Sequence, residues 1–251
     1  MKNYKIDPRI SLINDRIKKI KNIVPVISSK GGVGKSLVSS ALAWGLREYA
    51  NTALLDLDFW GASDHLLLDA FKYIDEFPEE DRGILPVDIE GLKFMSVIYY
   101  TQNKPLSLRG IEFSDAFIEI MSATRWENLD YLIIDMPPGL NDPLLDVLKF
   151  FRNGKFVVVA TPSKLAVNVV KKTIEFVKEQ KYIILGLIEN MVLDGRSTLR
   201  DIADTYGIEL IGSIPYFNDL ERELEDSNKL KGGEFFKKVS EISKYLLEQS
   251  K

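Results

Sequence analysis

The sequence predicts a doubly wound α/β fold, with a mostly parallel β-sheet flanked by helices. Three observations predict it. Short apolar runs of strand length alternate with longer amphipathic stretches along the chain. Several runs are apolar at nearly every position, as strands covered on both faces are. A glycine-rich loop, "SSKGGVGKS" at Ser28–Ser36, joins the first such run directly to a helical pattern.

In chain order, residues 1–22 read as a helical extension, with Ile17 and Ile20 interleaved among the basic residues of Arg16–Lys21 to form an apolar side. Strands follow at Ile23–Ser28, Thr52–Asp58, Leu92–Val97, Tyr131–Asp135, Lys155–Thr161, Ile183–Asn190 and Glu209–Pro215. The first core helix starts at the glycine loop and carries Val38, Leu42, Leu46 and Tyr49 at near-helical spacing. Further helical patterns cover Ser114–Ser122, Asn168–Gln180, Thr198–Tyr206 and a C-terminal helix within residues 234–251. The acidic stretch Asp75–Gly83 reads as a solvated loop. No repeat or linker divides residues 1–251, so one domain is expected.

Composition narrows the chemistry. The chain of 251 residues is 45% hydrophobic, enough for a sizeable core, and its formal charge of -4 offers no general attraction to nucleic acid or anionic lipid. With no cysteine and one histidine, His65, a thiolate cluster is excluded, and neither a zinc site nor a Ser-His-Asp triad is expected. The N-terminus lacks a signal-peptide pattern and no apolar run is long enough to span a bilayer, so a cytoplasmic address is expected.

The loop has the make-up of a phosphate cradle. Gly31, Gly32 and Gly34 can turn successive amide groups toward an anion, and the helix that follows adds unpaired N–H groups and its positive dipole end. Lys35 would meet β- and γ-phosphate oxygens, and the Ser36 hydroxyl would ligate Mg²⁺. Asp56, Asp58 and Asp135 stand at strand ends, where open α/β sheets bind ligands; Asp135 is the natural carboxylate for the metal's water shell. Each also has a plainer reading: Asp58 as a helix cap, Asp135 as a strand end, the loop as a simple glycine turn.

With those residues in place, the sequence resembles the Mrp/MinD/ParA class of P-loop ATPases with a deviant Walker A, and most closely the Mrp group. The matching segments are "SKGGVGKS", "LLDLDFWGAS", "GLKFMSV", "LRG" at Leu108–Gly110, Trp126 leading into "LDYLIIDMPPGLND", "ATPSKLAV", "IENM" and "GSIPYFND". They run in family order from about Ile23 to Asp219.

The resemblance implies a P-loop NTPase fold and an ATP cradle of Gly31, Gly32, Val33, Gly34, Lys35, Ser36 and Leu37, with Asn190, Pro215 and Tyr216 at the adenine. An asparagine amide donates and accepts at once, as the adenine edge requires, and no guanine-reading Asn-Lys-x-Asp pattern occurs. It implies Mg²⁺ held through Ser36, Asp56 and Asp135, and Asp58 positioning the attacking water. It also implies that Lys30 is a signature lysine reaching the nucleotide of a facing subunit, so that a nucleotide-dependent homodimer hydrolyses ATP, slowly, to switch affinity for a protein partner or cargo. Outside the resemblance, Lys30 reads as a solvated loop lysine.

The chain departs from the pattern in several places. Ser29 replaces the first loop glycine, Leu37 a threonine, Ala62 a proline, and Leu140–Asn141 the usual Thr-Gly. The Cys-x-x-Cys pair of the Mrp group is missing from Met191–Gly207, so no iron–sulfur cluster is expected on the chain's own cysteines. The competing readings are an ATP-gated scaffold with little hydrolysis, a MinD-like membrane role through Glu234–Lys251, a ParA-like DNA role through Arg16–Lys21, and a small-molecule kinase. Mixed charge on the terminal helix and isoleucines within the basic run favour packed helices, so membrane and DNA partners are not expected.

Overall fold

In the computed structural model, residues 7–74, 77–101, 111–140, 142–193 and 197–249 are described. Leu108–Gly110, Asn141, Asp194 and Arg196 lie outside the described residues, as does the start of the acidic stretch at residues 75–76.

The strands are β1 (Ile20–Ser28), β2 (Thr52–Asp56), β3 (Val87–Ile89), β4 (Leu92–Ser96), β5 (Leu129–Asp135), β6 (Lys155–Ala160), β7 (Ile183–Val192) and β8 (Leu210–Pro215). They form one eight-stranded sheet in the order β3-β4-β2-β5-β1-β6-β7-β8. Every neighbouring pair is parallel except β3 and β4, a hairpin at the edge. The helices are α1 (Pro8–Ile17), α2 (Lys35–Leu46), α3 (Asp64–Leu67), α4 (Ile98–Thr101), α5 (Ile111–Ala123), α6 (Asp142–Phe150), α7 (Lys164–Glu179), α8 (Arg200–Tyr206), α9 (Leu220–Glu223), α10 (Ser227–Gly232) and α11 (Glu234–Glu248). The doubly wound, mostly parallel sheet is therefore present. The sequence did not reveal β3, whose three residues are too few to show a period, nor α6.

Two boundaries differ for physical reasons. The residue 1–22 extension is not helical throughout: α1 ends at Ile17, and Ile20 already pairs with Leu129, so sheet pairing takes over from helical pattern. β2 stops at Asp56, because the Asp58 amide turns back to donate to Asp56 Oδ1 at 3.0 Å. The basic run Arg16–Lys21 thus straddles a helix end and a strand start. Lys18 pairs with Asp15 at 3.0 Å, Lys21 with Asp130 at 2.6 Å, and Arg16 donates to the Thr124 carbonyl.

The middle strands are buried along most of their length; Leu54, Ile133 and Val158 are wholly inaccessible. α11 lays Phe235, Phe236, Val239, Ile242 and Leu246 into the core against α2. Gly45 permits this close crossing: a Cβ there would stand 2.7 Å from Ser243 Oγ and 3.1 Å from the Ser240 backbone. Ser243 in turn donates to the Leu42 carbonyl at 3.1 Å. The apolar stripe of the terminal helix is thus covered by protein. Among the described residues, no helix is long and apolar enough to cross a membrane.

Candidate functional site

Register brings the strand ends together. Asp56 pairs directly with Asp135 across β2 and β5, and Val26 of β1 pairs with Asp135 from the other side. The glycine loop leaves β1 two residues later and runs into α2, so α2 begins above two buried carboxylates. Parallel strands in this order, with β5 between β1 and β2, make the convergence unavoidable.

Within the loop, Gly32 and Gly34 take φ of 77° and 79°, the left-handed region that side chains disfavour. Ser29 carries no such strain, since the positive angles fall on the glycines that follow it. Gly34 is doubly constrained: a Cβ there would lie 2.3 Å from Asn190 Nδ2. That amide donates to the Val33 carbonyl at 2.9 Å, and Asn190 is buried behind the loop. The Gly139 amide donates to the Ser28 carbonyl at 2.9 Å, tying the "MPPG" segment to the base of the loop.

Asp135 is the hub. Its Oδ1 accepts from Lys35 Nζ and from Ser39 Oγ, and its Oδ2 from Ser36 Oγ, each at 2.7 Å. Only 5% of the Lys35 side chain and 1% of that of Asp135 meet solvent. Burial disfavours the Lys35 ammonium, but the Asp135 charge beside it prevails and holds its pKa above the ordinary value. Asp56 accepts from the Asp58 amide and from Ser96 Oγ at 3.1 Å. Burial, reinforced by the Asp135 charge, pushes Asp56 up to about 8. Asp58 also lies above its usual range through burial, with Lys35 pulling the other way; its Oδ1 accepts from the Gly61 amide at 3.0 Å and the Trp60 amide at 3.3 Å.

Three participants escaped the sequence reading. Ser39 lies one helical turn after Lys35 on the same face of α2, a spacing that could have flagged it. Ser96 ends β4, the neighbour of β2. Asp64, the first residue of α3, is fully buried and accepts from Ser40 Oγ at 2.8 Å. One oxygen from each of Asp56, Asp64 and Asp135 lies within 4.8 Å of the others. Burial, then the charges of Asp135 and Asp56, raise Asp64 well above the carboxylate range.

A cleft of about 530 Å³ opens over this floor, lined among others by Lys30, Gly31, Lys35, Ser36, Asp58 and Tyr216. Lys30 is exposed at its rim. The structure thus gathers the loop, Asp58 and Tyr216 around one opening, with Asp56 and Asp135 beneath it. Pro215 ends β8 just before Tyr216, and Asn190 touches the loop from behind. Hydroxyl and carboxylate oxygens suit a hard cation such as Mg²⁺, and the left-handed glycines with the α2 N-terminus suit phosphate.

Comparison with known proteins agrees with this geometry. The family model described as NUBPL iron-transfer P-loop NTPase matches residues 19–248. The chain belongs to that family. It is 33% identical over 227 residues to an iron–sulfur cluster carrier protein of Pseudomonas fragi, covering 85% of this chain and 79% of that one. It is 35% identical over 204 residues to the protein of the same name from Rickettsia bellii, covering 79% of this chain and 63% of the other. The chain thus spans less than two thirds of that protein's length, and 59% of the length of the carrier protein of the same name from Aquifex aeolicus. A nucleotide-binding protein from Archaeoglobus fulgidus, solved with ADP, superposes with a TM-score of 0.77 at 30% identity, covering 90% of this chain and 95% of that one. MinD from Pyrococcus horikoshii, at 19% identity and a TM-score of 0.64 over 90% of this chain and 95% of that one, shares the fold. This NUBPL-family chain is thus built as a nucleotide-binding P-loop protein.

Proposed function

We propose that this chain binds ATP with Mg²⁺, hydrolyses it at a face shared by two copies, and uses the nucleotide state to hold or release a protein partner or cargo. One observation carries the reading: Lys35 and Ser36, at the mouth of the glycine loop, converge at 2.7 Å on Asp135 at the end of a neighbouring strand. A lysine, a hydroxyl and a carboxylate so arranged can serve a phosphate chain and its cation together.

In this reading the loop amides and Lys35 bind the phosphates. Ser36 would ligate the magnesium ion, with Asp135 and Asp56 holding its water shell. Once bound, the ion would neutralise charge on the β- and γ-phosphates. Asp58, poised at the cleft wall by the Trp60 and Gly61 amides, orients the attacking water. Lys30, exposed at the rim, reaches the phosphates of a facing copy. Tyr216 and Pro215 border the base. Asn190 would read adenine by releasing the Val33 carbonyl.

The cargo named for the relatives is not carried over unchanged. This chain has no cysteine, so an iron–sulfur cluster cannot be held on its own thiolates. We propose that the nucleotide switch acts on another cargo, or on one whose ligands a partner supplies. The test is single-turnover phosphate release from ATP, wild type against Asp58→Ala, beside calorimetric ATP binding. Release by wild type alone is expected; equal release by both would overturn the enzyme, and no ATP uptake with Mg²⁺ would overturn the site.

A further inference from the structure

We infer that Asp64 gives this chain a divalent-cation site that fills without nucleotide, formed by the carboxylates of Asp56, Asp64 and Asp135. The inference deepens the reading of the same site, yet the two can fail separately.

Both Asp135 oxygens accept side-chain hydrogen bonds, and both Asp56 oxygens accept from Asp58 and Ser96. Asp64 Oδ1 accepts from Ser40. Asp64 Oδ2 is buried and has no partner at all. An orphaned carboxylate oxygen in a protein interior is costly, and here it belongs to a residue sharing a 4.8 Å neighbourhood with two other acids. The Tyr99 hydroxyl is likewise buried and unpartnered, and lies close enough to Asp56 to feel its charge. It offers a donor to a water of an ion's hydration shell.

Charge points the same way. Ionised as a bound cation would hold them, Asp56, Asp64 and Asp135 carry one negative charge each, against the single positive charge of Lys35. Two negative charges are left over, the charge one divalent cation brings. Asp58 is not part of this set, since its Oδ1 is engaged by two backbone amides at the cleft wall. The donors are all hard oxygens, which select Mg²⁺ or Mn²⁺ over softer metals. Ser39 and Ser40, adjacent on α2, clamp Asp135 and Asp64 respectively, so two of the three carboxylates are preset by one rigid helix.

The experiment titrates the nucleotide-free full chain with Mn²⁺ and follows free ion by electron paramagnetic resonance. Saturable uptake of about one Mn²⁺ per chain is expected, weakened at least about tenfold in Asp64→Asn, which keeps the size of the side chain but removes its charge. Ser40→Ala, which frees Asp64 Oδ1 without changing charge, should weaken uptake several-fold and carries the comparison if Asp64→Asn fails to fold. A second readout is thermal: Mn²⁺ should raise the melting temperature of wild type and not of Asp64→Asn. No saturable uptake by wild type, uptake only after ADP is added, or equal affinity in wild type and Asp64→Asn would each overturn the inference. ADP binding with Mg²⁺, measured in parallel, reports on the nucleotide reading by itself. A chain that takes Mn²⁺ but no ADP keeps this site and loses the ATPase.

Discussion

Replacing Lys35 by methionine deletes the ammonium that Asp135 faces at 2.7 Å while keeping a chain of comparable length. The partners are 5% and 1% exposed, so water cannot take the place of the lost charge. Breaking a buried pair by removing one member costs about 3–5 kcal/mol, because the remaining charge stays desolvated. Ser36 and Ser39 still donate to Asp135, which argues for the lower half of that range. For a chain of this size each kcal/mol lowers the melting temperature by about 2–4 °C, so a fall of roughly 6–16 °C is expected without nucleotide or metal. The assays are thermal unfolding and urea unfolding in EDTA, the latter extrapolated linearly to water. The double variant Lys35→Met/Asp135→Asn removes both charges and should recover at least about half of the loss. If Lys35→Met unfolds within about 1 kcal/mol of wild type, and the double variant shows no coupling, the buried ion pair does not stabilise the fold.

Other outcomes follow from the same contacts. Asp56 holds its proton up to about 8 in the folded chain, against 3.8 for an ordinary aspartate, so the native state binds the extra proton. Its stabilising contribution is complete below about pH 4 and is lost as pH rises through the folded value, by at most about 1.4 kcal/mol per pH unit. Urea midpoints in EDTA should therefore fall from about pH 5 to pH 8.5, and a rise over that window would contradict the assignment. Gly34→Ala places a Cβ 2.3 Å from Asn190 Nδ2 on a backbone at φ 79°, and should cost about 1–3 kcal/mol and weaken ADP at least about tenfold by calorimetry. Unchanged ADP affinity would remove Gly34 from the cradle. Lys30→Ala and Asp58→Ala should each abolish hydrolysis, yet a mixture should regain about a quarter of wild-type turnover, since half the pairs then carry one complete site. Two silent variants that stay silent together would count against a lysine acting from the facing copy.

What the sequence made legible was whatever repeats locally. Continuous apolar runs such as Tyr131–Asp135 announced buried parallel strands, and a glycine loop before an amphipathic stretch announced α2, because strand burial and helical spacing are written within a few residues. β3 and the end of α1 were hidden because pairing decides them: Ile20 is a strand residue only because Leu129 lies opposite it. The same divide runs through the site. Asp56 and Asp135 stood at strand ends and could be read off. Ser96 and Asp64 meet Asp56 only through folding, from β4 and from the short helix after the turn at Asp58. Asp64 is particularly hard to foresee, since "ASDHLLLD" reads as an ordinary helix start, with an acid in the first turn.

The hydrogen bonds at Asp135 also constrain how the site works. Lys35 and Ser36, the two side chains proposed to receive phosphate and metal, are both already spent on one carboxylate. Nucleotide binding is then an exchange of partners. Drawing Lys35 Nζ toward a phosphate strips a charge-assisted bond from a buried acid, a loss that a phosphate alone, itself negative, makes worse. An accompanying cation such as Mg²⁺ would restore the balance, supplying the positive charge beside Asp135 that Lys35 withdraws. Ser39 is the one donor that need not move: its single hydroxyl hydrogen serves Asp135 Oδ1 at 2.7 Å, with the Lys35 carbonyl as the alternative acceptor at 3.0 Å, so it can hold the end of β5 against α2 through the exchange. In the proposed reading, coupling of phosphate to metal would follow from where the acid sits. Asp64 would sharpen it, since its charge, disfavoured by burial and by the neighbouring Asp135 and Asp56, is one more that a bound cation would relieve.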